Sequence, residues 1–92
     1  MLSIEERHLK LVRDILDKYP YTFYAFGSRV KGNPKRSSDL DICFYEEIPI
    51  NVLSHLDEDF EESDLPFKVD IFDGLACNEN FRALIQKDLI KL

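Results

Sequence analysis

The sequence is poor in the residues that mark secreted, membrane and fibrous proteins. It contains two cysteines, Cys43 and Cys77, three glycines, four prolines and no tryptophan. Two cysteines are too few for the disulfide framework of a small secreted domain, and no secretion signal precedes them, so we expect reduced thiols and a cytoplasmic location. No apolar run approaches the ~20 residues that cross a bilayer, which argues against a membrane protein.

Basic charge is also scarce. Twelve Lys and Arg residues face eighteen Asp and Glu residues, for a net charge of −6. We therefore expect no stable binding of nucleic acid, because a general nucleic-acid binder carries a broad basic face. The charges are segregated, with basic residues gathered over 29–36 and acidic residues over 57–64. The acidic segment is expected to be either a solvated helix end or a docking face for a basic partner.

Apolar sequence is sufficient for one modest core. Hydrophobic residues make up 45% of the 92 residues, which predicts a single domain over residues 1–92. A domain of this size buries only roughly 60–65% of the surface that its unfolded chain exposes. Little chain therefore remains for a second, substrate-binding lobe.

Hydrophobic periodicity predicts alternating helices and strands. Ser3 and Glu6 form a capping-box pattern before a helix that Pro20 ends. Further elements are strands over 21–26, 39–45 and 67–72, a helical turn over 28–32, and helices beginning at Pro49 and after the N-cap Asn78. Phe81, Leu84 and Ile85 are expected to face inward, and residues 89–92 fit either helix or edge strand. The order predicts an α/β sheet with helices packed on it.

Gly27-Ser28 lies between a predicted strand and a helical turn. Glycine allows the backbone to approach an anion closely, and N–H groups that open a helix can hold phosphate oxygens. Alone, the pair indicates only an ordinary strand-to-helix turn, because so short a motif is not specific. Arg29 adjoins the serine and could help to neutralise a triphosphate, whereas most of the other basic residues in this loop are expected to be solvated.

Three aspartates fall on the same face of predicted strands. Asp39 and Asp41 are two residues apart, so strand alternation places both within reach of one cation. Mg²⁺ prefers such oxygen ligands, although the pattern also fits a half-exposed edge strand. Asp70 lies in the middle of the next strand, and three carboxylates on one face would repel each other unless cations bind them. Asp73 is a poorer candidate, because it lies at the strand end on the other face.

These residues together resemble the nucleotidyltransferase signature of the polymerase-β-like superfamily. That signature is Gly-Ser, ten residues, Asp-x-Asp, and a third Asp on a later strand. Here Gly27-Ser28 is followed by residues 29–38, then by Asp39-Leu40-Asp41, with Asp70 downstream. The segment over 29–32 and Ser37-Ser38 also resemble the small prokaryotic MNT branch. The resemblance spans roughly residues 5–90 and implies the polymerase-β-like fold, a small mixed sheet with helices packed on it.

The resemblance also implies a reaction and a site. A nucleoside monophosphate, AMP from ATP, would be transferred to an acceptor hydroxyl in a metal-dependent reaction. The implied site has three catalytic carboxylates that hold two Mg²⁺ ions, namely Asp39, Asp41 and Asp70. The triphosphate would be bound by Gly27, Ser28 and Arg29. Asp70 would also help to deprotonate the acceptor hydroxyl.

Small MNT proteins are often antitoxins paired with a HEPN-domain protein, an RNase toxin. The resemblance therefore implies a HEPN-domain partner and an acceptor tyrosine on it. Two alternatives stay open: a partner-binding antitoxin module without catalysis, and transfer to a small molecule or a tRNA. Enzymes that modify aminoglycosides normally carry an extra helical domain, for which this chain has no room.

Overall fold

The structure, a computed structural model, describes residues 2–32, 35 and 38–92. Its elements in chain order are α1 Glu6–Leu16, β1 Tyr24–Phe26, α2 Ser28–Lys31, β2 Leu40–Phe44, α3 Ile50–Glu61, β3 Val69–Asp73, α4 Glu79–Gln86 and β4 Ile90–Lys91. The predicted order of helices and strands is confirmed, and the final segment is a strand. Most of the predicted polar loop over 33–38, Arg36 included, lies outside the described residues.

The four strands form one mixed sheet in the order β3-β2-β1-β4. β1 is antiparallel to both β2 and β4, whereas β2 and β3 are parallel and are joined by a crossover that contains α3. The register of the parallel pair sets Asp41 opposite Asp70. The predicted fold, a small mixed α/β sheet with helices packed on it, is confirmed.

One face of the sheet packs against α1 and α3 to form the main core. Leu40, Ile42 and Phe44 of β2 are almost completely buried there, with Val12 of α1 and Leu56 of α3. Their spacing of two residues is the strand alternation that the sequence predicts. The intervening residues of β2 therefore project from the opposite face, where the aspartates lie.

Helix α4 covers part of that opposite face. The ring of Phe26 on β1 lies edge-on to Phe72 of β3 and Phe81 of α4, with centroids 5.3 and 5.9 Å away. Buried Cys43 and Ile85 complete this smaller cluster. Because Phe26 is paired with Asp41 in the sheet, the aromatic cluster lies immediately beside the carboxylates. α4 thus closes the face up to the edge of the candidate site.

The N-terminal capping prediction is wrong. Helix α1 begins at Glu6, its N-cap is Glu5, and no side chain caps it. Ser3 instead contacts Arg29 through its main chain: its N–H donates to the carbonyl oxygen of Arg29 at 2.6 Å, and its carbonyl oxygen accepts a hydrogen bond from the Arg29 guanidinium at 3.1 Å. A buried arginine needs such acceptors, so the tertiary contact takes the serine away from the local cap.

The prediction for α4 is confirmed at its start and wrong at one apolar position. Asn78 caps the helix, because its side chain accepts a hydrogen bond from the N–H of Phe81 at 2.8 Å. Phe81 and Ile85 face the sheet, whereas Leu84 is 64% exposed. Phe81 and Ile85, four residues apart, fill the space beneath this helix of eight residues. The neighbouring position, Leu84, therefore points towards solvent. None of the helices in the described part of the chain has the length and apolar character that a membrane crossing demands.

Candidate active site

Gly27 makes the turn from β1 into α2. Its φ of 86° and ψ of −157° belong to a region that is essentially restricted to glycine. A Cβ atom at this position would collide with Oδ2 of Asp41 on the neighbouring strand. The carboxylate of Asp41 therefore lies directly against the Gly27 backbone, which explains why a side chain is excluded here.

Ser28 is the first residue of α2 and is half-buried. This helix is a single turn, in which the N–H groups of Val30 and Lys31 donate to the Gly27 carbonyl at 3.0 and 3.1 Å. Gly32 ends it in the left-handed conformation. The N–H of Ser28 opens the helix and so has no acceptor within it. A hydroxyl and an N–H are thus available beside Asp41, and phosphate binding at this turn stays a prediction.

Asp41 and Asp70 are direct partners in the parallel pair of β2 and β3. Paired residues of neighbouring strands project from the same face, and such strands lie about 4.8 Å apart. Asp39 precedes β2 by one residue, has the same parity as Asp41 and is exposed. The structure therefore brings Asp41 and Asp70 together, with Asp39 at the solvent-facing entrance of β2.

The electrostatics of this cluster favour a bound cation. The pKa of Asp41 is raised to about 6, mainly because the carboxyl is partly buried and further because Asp70 and Asp39 carry like charge. Nζ of Lys68 lies 3.3 Å from Oδ1 of Asp70 but is itself well exposed. A single screened lysine offsets little of this repulsion. A divalent cation would offset more, because it brings two charges into the cluster.

The donor set fits Mg²⁺, which takes hard oxygen ligands. Asp41 and Asp70 supply two carboxylates from adjacent strands. Within the residues that the structure describes, no three His, Cys, Asp or Glu side chains are gathered closely enough to form a complete metal site. Water and the phosphates of a substrate commonly supply the remaining ligands of Mg²⁺. Metal binding by Asp39, Asp41 and Asp70 stays a prediction that this arrangement fits.

The side chain of Arg29 is only 6% exposed. Its Nε and Nη2 donate to the carbonyl oxygen of Ser38 at 3.0 and 2.8 Å, and its Nη1 donates to the carbonyl of Ser3. The guanidinium carbon lies 4.2 Å from the ring centroid of Phe67. Burial lowers the pKa of Arg29, and the charge of Asp39 opposes this effect. Arg29 thus holds the segment that leads into Asp39, and phosphate contact by it stays a prediction.

Sequence reasoning did not single out Asp57 of α3, which it placed within an acidic run expected to be either a solvated helix end or a docking face. Although Asp57 is largely exposed, partial desolvation raises its pKa, and the charges of Glu61 and Asp70 add to that effect. Helix α3 therefore brings a further carboxylate towards the candidate site. The one sequence signal for Asp57 is that it follows the core residue Leu56, and this position alone does not predict which way the Asp57 side chain points.

Known proteins resemble this chain over most of its length. The family model described as "Polymerase beta, Nucleotidyltransferase" matches residues 10–91. The "Probable protein adenylyltransferase MntA" of Haemophilus influenzae is 44% identical over 90 residues, which cover 94% of this chain and 79% of that protein. A crystal structure of a "putative nucleotidyltransferase" from Sulfolobus solfataricus has a TM-score of 0.49 and 23% identity, and the match covers 92% of this chain and 78% of that one.

The family match includes both strands that carry the paired aspartates and the glycine turn between β1 and α2. The chain therefore belongs to the polymerase-β nucleotidyltransferase family, and it is a nucleotidyltransferase.

Proposed function

We propose that the chain transfers AMP from ATP to a hydroxyl group on a partner protein, with Mg²⁺ held by Asp39, Asp41 and Asp70. The observation that carries this proposal is the pairing of Asp41 with Asp70 beside the Gly27 turn. The relative that is 44% identical is named as a probable protein adenylyltransferase, which supports AMP as the group and protein as the acceptor.

The acceptor oxygen attacks the α-phosphorus of ATP and forms a new phosphorus–oxygen bond. The bond from the α-phosphorus to the β-phosphate oxygen breaks, and pyrophosphate leaves. The carboxylate of Asp70 takes the proton of the acceptor hydroxyl. Gly27 and Ser28 bind the β- and γ-phosphates and so set the α-phosphorus over the paired aspartates, assisted by Arg29. Bound Mg²⁺ supplies charge neutralisation at the attacking and leaving oxygens.

The charge distribution favours a protein acceptor over nucleic acid. With a net charge of −6, the chain lacks the basic surface that would release counterions from a nucleic acid. Its main basic segment, residues 29–36, adjoins the proposed phosphate turn, where ATP itself would use the positive charge. The acceptor is therefore expected to approach from the acidic side of the molecule.

The finer proposal is that the partner is a HEPN-domain toxin and that this chain is its antitoxin. It rests on the resemblance of the segment over 29–32 and of Ser37-Ser38 to small MNT proteins, and on the 44% identity to a probable protein adenylyltransferase. The acceptor would then be a tyrosine hydroxyl of the toxin. Co-expression with the product of the adjacent gene, followed by mass spectrometry of that product, tests it: AMP on a tyrosine supports the antitoxin role, and an unmodified partner contradicts it.

The proposed reaction is tested with ATP radiolabelled at either the α- or the γ-phosphate. The purified chain, Mg²⁺ and an extract of its host are incubated with each form, and the extract is then divided into protein and RNA fractions. AMP transfer places α-label, and no γ-label, on a protein band. Label from the γ position and none from the α position would instead indicate a kinase in the extract, because a kinase transfers only the γ-phosphoryl group.

An Asp41→Asn variant in the same extract is the control for background transfer. Its side chain has nearly the same size, but it cannot supply a carboxylate. The protein label should fall to the level of extract alone. Label in tRNA and in no protein band would contradict the proposal and place the enzyme with tRNA-modifying members of the family.

A further inference from the structure

The sheet ends at β3, the strand that carries Asp70. In the described part of the chain β3 has one neighbouring strand, β2, so its other edge is the border of the sheet. The N–H of Leu40 donates to the carbonyl of Lys68 at 2.9 Å, which directs the main chain of Lys68 towards β2. Main-chain groups alternate along a strand, so those of Asp70 also point to β2 and those of Val69 and Ile71 point outward.

This outer edge forms the floor of a groove. One wall of the groove is the last part of α3, which contributes Asp57, Phe60 and Glu61, and β3 contributes Val69 and Ile71. Asp57 and Glu61 are exposed, and the charge of Asp70 acts on Asp57. The groove thus combines outward main-chain groups, apolar side chains and negative charge beside the candidate site.

We propose that this groove binds an extended, basic segment of the acceptor protein, which adds to the sheet as a strand next to β3. The identity of the occupant as the acceptor rests on the proposed function. Main-chain hydrogen bonds to Val69 and Ile71 supply affinity that does not depend on sequence, as in other cases of strand addition. Asp57 and Glu61 select positively charged side chains.

The same placement delivers the acceptor hydroxyl. A strand added beside β3 lies about 4.8 Å from it, and the residue opposite Asp70 projects from the same face as Asp70. A Ser, Thr or Tyr at that position therefore lies on the face that carries Asp41 and Asp70. Strand addition therefore accounts for acceptor binding and for delivery of its hydroxyl at the same edge.

Charge favours a basic partner over a second copy of this chain. Two copies paired through β3 would bring two acidic grooves together, each on a chain of net charge −6. Like charges across such an interface are unfavourable.

The probe is a synthetic peptide in which lysine and valine alternate around a central tyrosine, and its control has glutamate in place of lysine. Added to the isotope-labelled chain without ATP, the basic peptide should slow hydrogen exchange at the amides of Val69 and Ile71. The amides of Asp70 and Phe72, which already face β2, should change little. The affinity should fall as salt is raised, and the acidic peptide should not bind.

Two matched pairs of variants separate the edge from general effects. Val69→Pro removes an outward N–H from an edge strand, where proline is tolerated, and Val69→Ala loses similar packing while keeping that N–H. The proline variant should bind the peptide about three- to tenfold more weakly than the alanine variant, the amount expected for one hydrogen bond. Asp57→Asn/Glu61→Gln should also weaken binding, whereas Glu47→Gln/Glu79→Gln, with the same change in charge, should not.

Equal affinity of the two Val69 variants, or protection at other amides, would overturn the inference. So would protection of Val69 and Ile71 in the free protein at high concentration, because a second copy would then occupy the edge. The two proposals fail separately. If Val69→Pro and Val69→Ala transfer AMP to protein equally well, the edge of β3 is not the acceptor-binding site, but the proposed reaction stands. If the peptide binds at the edge but no AMP is transferred to protein, the proposed reaction is wrong, and the occupant of the groove is not an acceptor of AMP.

Discussion

Asp41 places chemistry and stability in conflict at a single residue. Its pKa lies near 6 in the folded chain, against 3.8 for an ordinary aspartate, mainly because of burial. The folded protein therefore favours the protonated form, and the ionised form lowers its stability. We predict that Asp41→Asn raises the free energy of unfolding of the metal-free protein near pH 7 by about 1 kcal/mol, once solvent screening of a partly exposed group is allowed for.

This gain should depend on pH in a defined direction. Between about pH 4 and 6 the folded wild type holds a proton that the unfolded chain has released, so its stability falls as the pH rises through this window. Urea unfolding of the wild type and Asp41→Asn at several pH values measures the difference. The difference in the free energy of unfolding between the two proteins should vanish near pH 4 and reach its full size above pH 6. A difference that is the same at every pH would contradict a titrating origin.

Gly27 and Gly32 form a natural pair for a second test. Both have φ near 85°, but a Cβ at Gly27 meets the Asp41 carboxylate and a Cβ at Gly32 meets nothing within 4 Å. Gly32→Ala should cost about 1 kcal/mol, the price of a left-handed alanine. Gly27→Ala should cost about 2–4 kcal/mol, because a glycine-only conformation and the collision add to each other. Thermal unfolding measures both, and equal losses would mean that the carboxylate moves aside freely.

Arg29 connects elements that lie far apart in the sequence. It hydrogen-bonds Ser3 ahead of α1 and Ser38 ahead of β2, and it lies over Phe67 ahead of β3. We predict that Arg29→Lys lowers the free energy of unfolding by about 2 kcal/mol, because a lysine cannot make the same set of bonds with a planar group. Lys31→Ala, which removes an exposed cation from the same helix, should cost less than about 0.5 kcal/mol.

The two roles considered for Arg29 differ in their kinetics. A purely structural residue changes stability while leaving the KM for ATP of the folded variant near that of the wild type. A phosphate ligand raises KM as well. Measuring turnover of Arg29→Lys well below its unfolding temperature separates the two, and a raised KM would restore the nucleotide-binding role predicted from the sequence.

Sequence patterns predicted elements well where one local cause decides the outcome. The alternation over 39–45 placed β2 and both of its faces correctly, and Asn78 capped α4 as expected. Prediction failed where a distant group decides. Ser3 contacts Arg29 instead of capping α1. The strand expected over 21–26 is shorter in the structure, because only Tyr24–Phe26 pair with β2.

The same distinction applies to the candidate site. Parity predicted that Asp41 and Asp70 share a face, and the register of β2 with β3 confirms that they are opposite each other. The burial of Arg29 was not predictable, because its acceptors are main-chain carbonyls, which every residue carries. The position of β3 at the edge of the sheet was equally unpredictable, since strand order follows from packing of the whole chain.

For the molecule as a whole, metal binding and folding should be linked. A cation that binds only the folded state stabilises it by an amount that grows with its concentration. We predict that millimolar Mg²⁺ raises the Tm of the wild type and leaves that of Asp39→Ala/Asp41→Ala unchanged. Glu47→Ala/Glu79→Ala, which loses the same charge away from the paired strands, should respond like the wild type. An equal rise in all three proteins would indicate a general salt effect.

The pairing of β1 with β4 bears on how the protein is made. β1 pairs with β2, which follows it closely in the sequence, and with β4, whose residue Ile90 lies 64 residues after Phe26. At about 5–20 residues per second, a ribosome takes roughly 3–13 s to produce that stretch. During this interval the nascent chain carries an aromatic strand with an open edge, a common starting point for aggregation. Slow translation between β2 and β4 is therefore expected to lower the yield of folded protein even when the mature fold is stable.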